Sequence, residues 1–93
     1  MSIEESFAPY LGREVVLDTS SSLVYLGTLD AVDDYFLTLR DADVHDVAEA
    51  QATKSLIVME AKRDGVVPNR DEVRVKQSAV LSLSRLDQIR VFR

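Results

Sequence analysis

The chain has no cysteine, no tryptophan, one histidine, three glycines and two prolines in 93 residues. Without cysteine there are no disulfides, no thiolate metal ligands and no cysteine nucleophile. This fits a reducing compartment, and the expected location is the cytoplasm. The single histidine, His45, excludes a two-histidine metal face. Three scattered glycines exclude a glycine-rich phosphate cradle. No apolar run approaches the roughly 20 residues that cross a bilayer. The opening Met1-Ser2-Ile3-Glu4-Glu5 lacks the basic stretch and apolar run of a signal peptide. No membrane partner is expected.

Positive charge is also scarce. Eleven basic residues stand against 16 acidic ones, a net charge of −5. A protein that coats itself with nucleic acid by bulk electrostatics is basic, because phosphate contacts need Lys or Arg to displace counterions. Nucleic-acid binding here would have to be local, at a pocket whose potential departs from the average.

What the chain does contain is enough for one small domain over residues 1–93, with 46% apolar residues and a thin core that burial between subunits would support. Ser2 with Glu5 has the form of a capping box. Ile3, Phe7 and Tyr10/Leu11 recur at helical spacing up to Gly12, so a short helix is expected over 3–11, limited by Pro9. The remainder reads as strands: 14–18, then about 23–32 with Gly27 in the middle, then 35–40 with Tyr35, Leu37 and Leu39 on one face. Asp33-Asp34 form a tight connection between the last two. Gly inside a strand marks a bend or bulge. Residues 41–54, acidic and poor in bulky side chains, read as a surface excursion with one helical turn. Leu56-Ile57-Val58-Met59 reads as a strand ending at the turn signal Asp64-Gly65. Val73 and Val75 alternate with charge, Val80–Leu83 reads as a last core strand, and 85–92 as a helical turn followed by an edge strand. A helix and about five short bent strands describe a small barrel of SH3-like, OB or Sm-like type.

Two segments choose among these. Gly27-Thr28-Leu29-Asp30-Ala31-Val32-Asp33-Asp34-Tyr35-Phe36-Leu37-Thr38-Leu39 resembles the first Sm motif. It has Gly in a bent second strand, an apolar residue two positions on, and Asp in the tight loop before an apolar third strand. Val73-Arg74-Val75-Lys76-Gln77-Ser78-Ala79-Val80-Leu81-Ser82-Leu83 resembles the second. Lys76-Gln77 stands where eukaryotic and archaeal members have Arg-Gly and is nearer the Lys-His of the bacterial Hfq branch. The Asn that lines the eukaryotic and archaeal nucleotide pocket is absent, with Leu37 in its place. The resemblance implies an all-β fold: a short N-terminal helix, then a strongly bent five-stranded Sm-like (SH3-like) barrel with an enlarged connection between strands 3 and 4.

It also implies a homo-oligomeric ring that takes single-stranded, U- or A-rich RNA at its pore or face. By the same resemblance Tyr35 or Phe36 is the stacking platform, Lys76 the cation, and Asp33, Gln77 and Ser78 the polar set. A protein-interaction scaffold of the same fold without RNA binding is the alternative, which the acidity and the missing Asn favour. Asp41, Asp43, His45, Asp46 and Glu49 lie close enough in sequence to suit a hard or borderline ion, but the same pattern describes a solvated loop. Ser20-Ser21-Ser22 has no base nearby in sequence to activate a hydroxyl, so the chain is expected to be no enzyme and to need no cofactor.

Overall fold

The computed structural model describes residues 3–50 and 52–90. A short helix, α1 (Ile3–Phe7), leads into β1 (Glu14–Thr19), β2 (Leu23–Val32) and β3 (Phe36–Asp46). Two helices follow, α2 (Val47–Ala50) and α3 (Lys54–Asp64), and then β4 (Arg70–Lys76) and β5 (Val80–Arg85). Three-residue 3-10 turns occupy Gln77–Ala79 and Leu86–Gln88. The strands form one antiparallel sheet in the order β4-β3-β2-β1-β5.

Successive side chains of a strand point to opposite faces, and here both faces of the sheet are covered. Val15 and Leu17 of β1 join Leu29, Leu37, Leu39, Ala42 and Val75 in an inner core, with Val80 and Leu83 of β5 and Phe7 of α1 packed on it. Val16 faces the other way, into a second core with Val24, Leu26, Ile57, Ala61 and Leu86. The unbroken apolar run Val15-Val16-Leu17 is therefore a strand buried on both sides rather than half-buried.

The bend in β2 comes from shifts of register with β3 at Leu26/Thr28 and again at Leu29/Ala31. Gly27 lies at the first of these. A Cβ there would stand 3.0 Å from the Cα of Ala42 and 3.1 Å from the carbonyl oxygen of Arg40, so only glycine lets β3 come this close.

Five sequence expectations are corrected. Residues 41–46 are not a surface excursion but the second half of β3, pairing with Leu23–Leu26 of β2. Their acidity misleads because the apolar partner is on β2, and Ala42 is fully buried where Gly27 makes room for it. Leu56–Met59 is not a strand but the middle of α3. A run of four apolar residues does not distinguish strand from buried helix. The ends decide: Thr53 caps α3, its Oγ1 accepting from Leu56 N at 3.0 Å, and Gly65 ends it at φ 90° with its N–H donating to Ala61 O. The enlarged connection between β3 and β4 thus begins at residue 47 and holds two helices.

Helix α1 ends at Phe7, not at 11. Phe7 O then accepts from both Tyr10 N and Leu11 N in a turn. Tyr35 lies before β3, in the turn, and does not share the buried face of Leu37 and Leu39. After the turn at Leu86–Gln88, Ile89 and Arg90 are not in a strand. The rest of the expected terminal edge strand, and the capping residue Ser2, lie outside the described residues.

Candidate nucleic-acid interface

The antiparallel pairing of β3 with β4 sets Phe36 opposite Lys76, at the end of the sheet where β2 turns into β3 and β4 turns into β5. Any side chain in one turn is therefore a neighbour of the other. Three hydrogen bonds lock the two turns together. Gln77 N–H donates to Tyr35 O at 2.8 Å, the Gln77 carboxamide nitrogen donates to Asp33 O, and Arg74 Nη2 reaches Asp33 Oδ2 at 3.2 Å.

Asp33 organises the first turn. Its Oδ1 accepts from Tyr35 N at 2.8 Å and Phe36 N at 2.7 Å, while its own N–H donates to Phe36 O at 3.0 Å. A carboxylate receiving such donors is favoured in its charged form. The Tyr35 and Phe36 amides, and after them the Arg74 guanidinium, hold the Asp33 carboxyl below the usual carboxylate range. Asp33 is thus a structural anion, with both oxygens already engaged.

The two aromatic candidates separate. Arg74 sits 4.3 Å from the centroid of the half-buried Phe36 ring, a cation–π contact that takes one face of it. Tyr35 is 73% exposed, with its main chain held at both ends of the turn. A flat ring on a rigid, solvent-facing loop is what base stacking requires. Lys76 and Ser78 are exposed beside it and Gln77 is half-buried. All six expected residues therefore lie together: Asp33, Tyr35, Gln77 and Ser78 in two contacting turns, and Phe36 and Lys76 at the paired strand ends beside them.

Arg74, to which the resemblance gives no role, joins this site. Strand alternation puts it on the face of Lys76, opposite Thr38 in the ladder, and that register was the available signal.

Other polar clusters are self-contained. Lys54 Nζ donates to Asp18 Oδ1 at 2.7 Å, Thr19 O at 3.0 Å and Ser21 O at 2.7 Å, tying the start of α3 to the β1–β2 turn. His45 Nε2 lies 2.7 Å from Asp43 Oδ2. Asp46 Oδ1 accepts from Ser22 Oγ at 2.6 Å and from Ala48 N at 3.0 Å. Among the described residues, no three His, Asp or Glu side chains converge as a metal site would need. A groove of about 300 Å³ lies away from the two turns, lined by Val16, Val24, Val58 and Met59 with Lys54 at its edge. Among the described residues that line it, Asp18 and Lys54 are paired with each other and Arg90 is the remaining charged group, so its chemistry is that of an unfilled seam between α3 and the sheet.

Among solved structures, the chain is similar to an Sm protein of Pyrococcus abyssii, determined in complex with a uridine heptamer. The likeness has a TM-score of 0.59 at 17% identity and covers 91% of this chain and 99% of that one. No family model and no curated protein matches the sequence. The chain has the Sm-like fold: a short N-terminal helix and a five-stranded, bent antiparallel sheet.

Proposed function

We propose that the protein is a ring-forming Sm-like module, acting in the cytoplasm, that binds single-stranded RNA at the paired β2–β3 and β4–β5 turns. The observation that carries this is the exposed Tyr35 ring, held by main-chain hydrogen bonds next to Lys76. Stacking supplies a sequence-tolerant platform, and a free ammonium supplies a phosphate contact. The similarity to an Sm protein solved with a uridine heptamer supports the same class of ligand. Binding at one small site also accommodates a chain of net charge −5.

Ring formation rests on the sheet's two ends. Among the described residues, β4 and β5 each leave an outer edge without a partner strand, and open edges are templates for pairing with another chain. Leu81 on β5 is 69% exposed, which suits burial against a second copy. In the proposed ring, β4 of one subunit pairs with β5 of the next, and the Tyr35–Lys76 turns repeat around the opening. Repetition raises affinity through effective concentration.

A protein scaffold of the same architecture without RNA binding is the competing reading, favoured by the acidity and by the neutralisation of Arg74 by Asp33. Two measurements decide. Light scattering should give a mass several times 10.4 kDa. Titration of labelled single-stranded RNA should show binding that weakens as salt rises. An oligomer that retains no RNA at low salt is the scaffold.

A further inference from the structure

We infer that the Tyr35–Lys76 site accepts single-stranded RNA with little regard to base identity; this rests on the RNA-binding reading above. Base selection requires fixed donors and acceptors aimed at a base edge. Most polar groups next to Tyr35, those of Asp33, Arg74 and the Gln77 amide nitrogen, are spent on holding the two turns together. Asp33 Oδ1 takes the N–H groups of Tyr35 and Phe36, and Oδ2 takes Arg74. The carbonyls of Asp33 and Tyr35 receive Gln77, whose carboxamide nitrogen is used in the process.

The strand leading away from the site offers no replacement. Leu37 is buried in the inner core, and Phe36 carries Arg74 on its ring. What remains free at the surface is the Tyr35 side chain, the Lys76 ammonium, the Ser78 hydroxyl, the exposed Asp34 carboxylate and the Gln77 carboxamide oxygen. The last two only accept, and every base carries an N–H that can meet an acceptor. An aromatic face stacks on any base. A lysine on a flexible stem contacts any phosphate, and a rotatable hydroxyl donates or accepts as required. The resemblance of the motifs alone implies a preference for U or A. The hydrogen bonding within the site takes up Asp33 and the Gln77 amide nitrogen, and the acceptors left over make no donor–acceptor pair that would enforce it.

The test is to titrate the full-length oligomer with labelled hexamers of U, A and C at the same salt concentration. The expected dissociation constants lie within about fivefold of one another, the spread that differences in stacking strength allow. Tyr35→Ala should raise all three together. Asp33→Ala, which unties the turn that holds Tyr35, should also raise all three by a common factor. A preference of more than about tenfold for one base, the discrimination of a bidentate edge contact, overturns the inference and leaves RNA binding standing. So does a loss in either variant confined to one base. Failure of all three hexamers to bind at low salt removes the RNA-binding reading itself, and the inference with it.

Discussion

The two cores on opposite faces of the sheet are built differently. The inner core draws on all five strands, with Val15, Leu17, Leu29 and Leu39 fully enclosed and Val80 and Leu83 closing it. The second core is a roof: one helix, α3, laid over β1 and β2 and held by Ile57 and Ala61 with Leu86 at its end. In the inner core, each side chain is surrounded by strands that are hydrogen-bonded to one another, so removing one leaves a cavity that cannot collapse. In the roofed core, the helix can settle toward the sheet. The contrast separates what the sheet needs in order to exist from what is laid over it.

The largest expected effect tests this directly. Leu39→Ala should cost about 4 kcal/mol and Ile57→Ala about 2 kcal/mol, both within the span seen for deletions of large aliphatic side chains. Chemical denaturation of both variants measures the difference. Equal losses would mean that the roof is as unyielding as the strands. Gly27→Val should follow at about 3 kcal/mol, because its side chain meets backbone atoms of Arg40 and Ala42 rather than a movable side-chain end. An unchanged melting temperature would show that β2 and β3 can move apart there.

A smaller loss, about 1 kcal/mol, is expected for Lys54→Met, which keeps the stem and removes a half-exposed ammonium that joins α3 to Asp18 and two carbonyls. Hydrogen exchange should report the loss first in α3, with the inner strands unaffected.

The interface turns should respond in function rather than stability. Tyr35→Ala should weaken RNA binding about tenfold with little change in salt dependence, and Tyr35→Phe should be nearly silent. Lys76→Ala should weaken binding and flatten its salt slope by about one. Both Ala variants should keep the wild-type mass by light scattering. Wild-type binding in both would move the RNA to another surface.

The gentlest perturbation is acid. Asp33 and Asp46 each have a carboxyl held below the usual range, Asp33 chiefly by the amides of Tyr35 and Phe36, and Asp46 chiefly by the Ser22 hydroxyl. For a group whose folded pKa is depressed, the contribution to stability is complete above its unfolded pKa, about 4, and is lost as pH falls through the lower folded value. Order in both turns should therefore hold down to about pH 4 and loosen below it. Carboxyl chemical shifts across an acid titration would show this; midpoints at or above the ordinary aspartate value would contradict it.

Much of this architecture was legible in the residues. The strand 23–32 and its glycine, the Asp33 turn, the strand pair Val73/Val75 and Val80–Leu83, and the meeting of the two turns followed from alternation, turn chemistry and the two motifs. The segment 41–64 was misread for a physical reason. Alternation in Ala42-Asp43-Val44-His45-Asp46 lacks bulky apolar residues because the burial is supplied by β2 across the ladder. Leu56-Ile57-Val58-Met59 has no period of its own, and its helical form depends on Thr53, on Gly65 and on a sheet face waiting to be covered.

The residue order by itself determined where the chain turns, which positions prefer extended backbone, and that Asp33 and Lys76 belong to two short connections of an Sm-like pattern. These are local matters of turn chemistry and side-chain alternation. Only the tertiary structure decided which aromatic ring is free. Tyr35 and Phe36 are adjacent in sequence and alike in chemistry. Arg74, 38 residues from Phe36 and brought to it by the β3–β4 ladder, occupies one ring and leaves the other facing water.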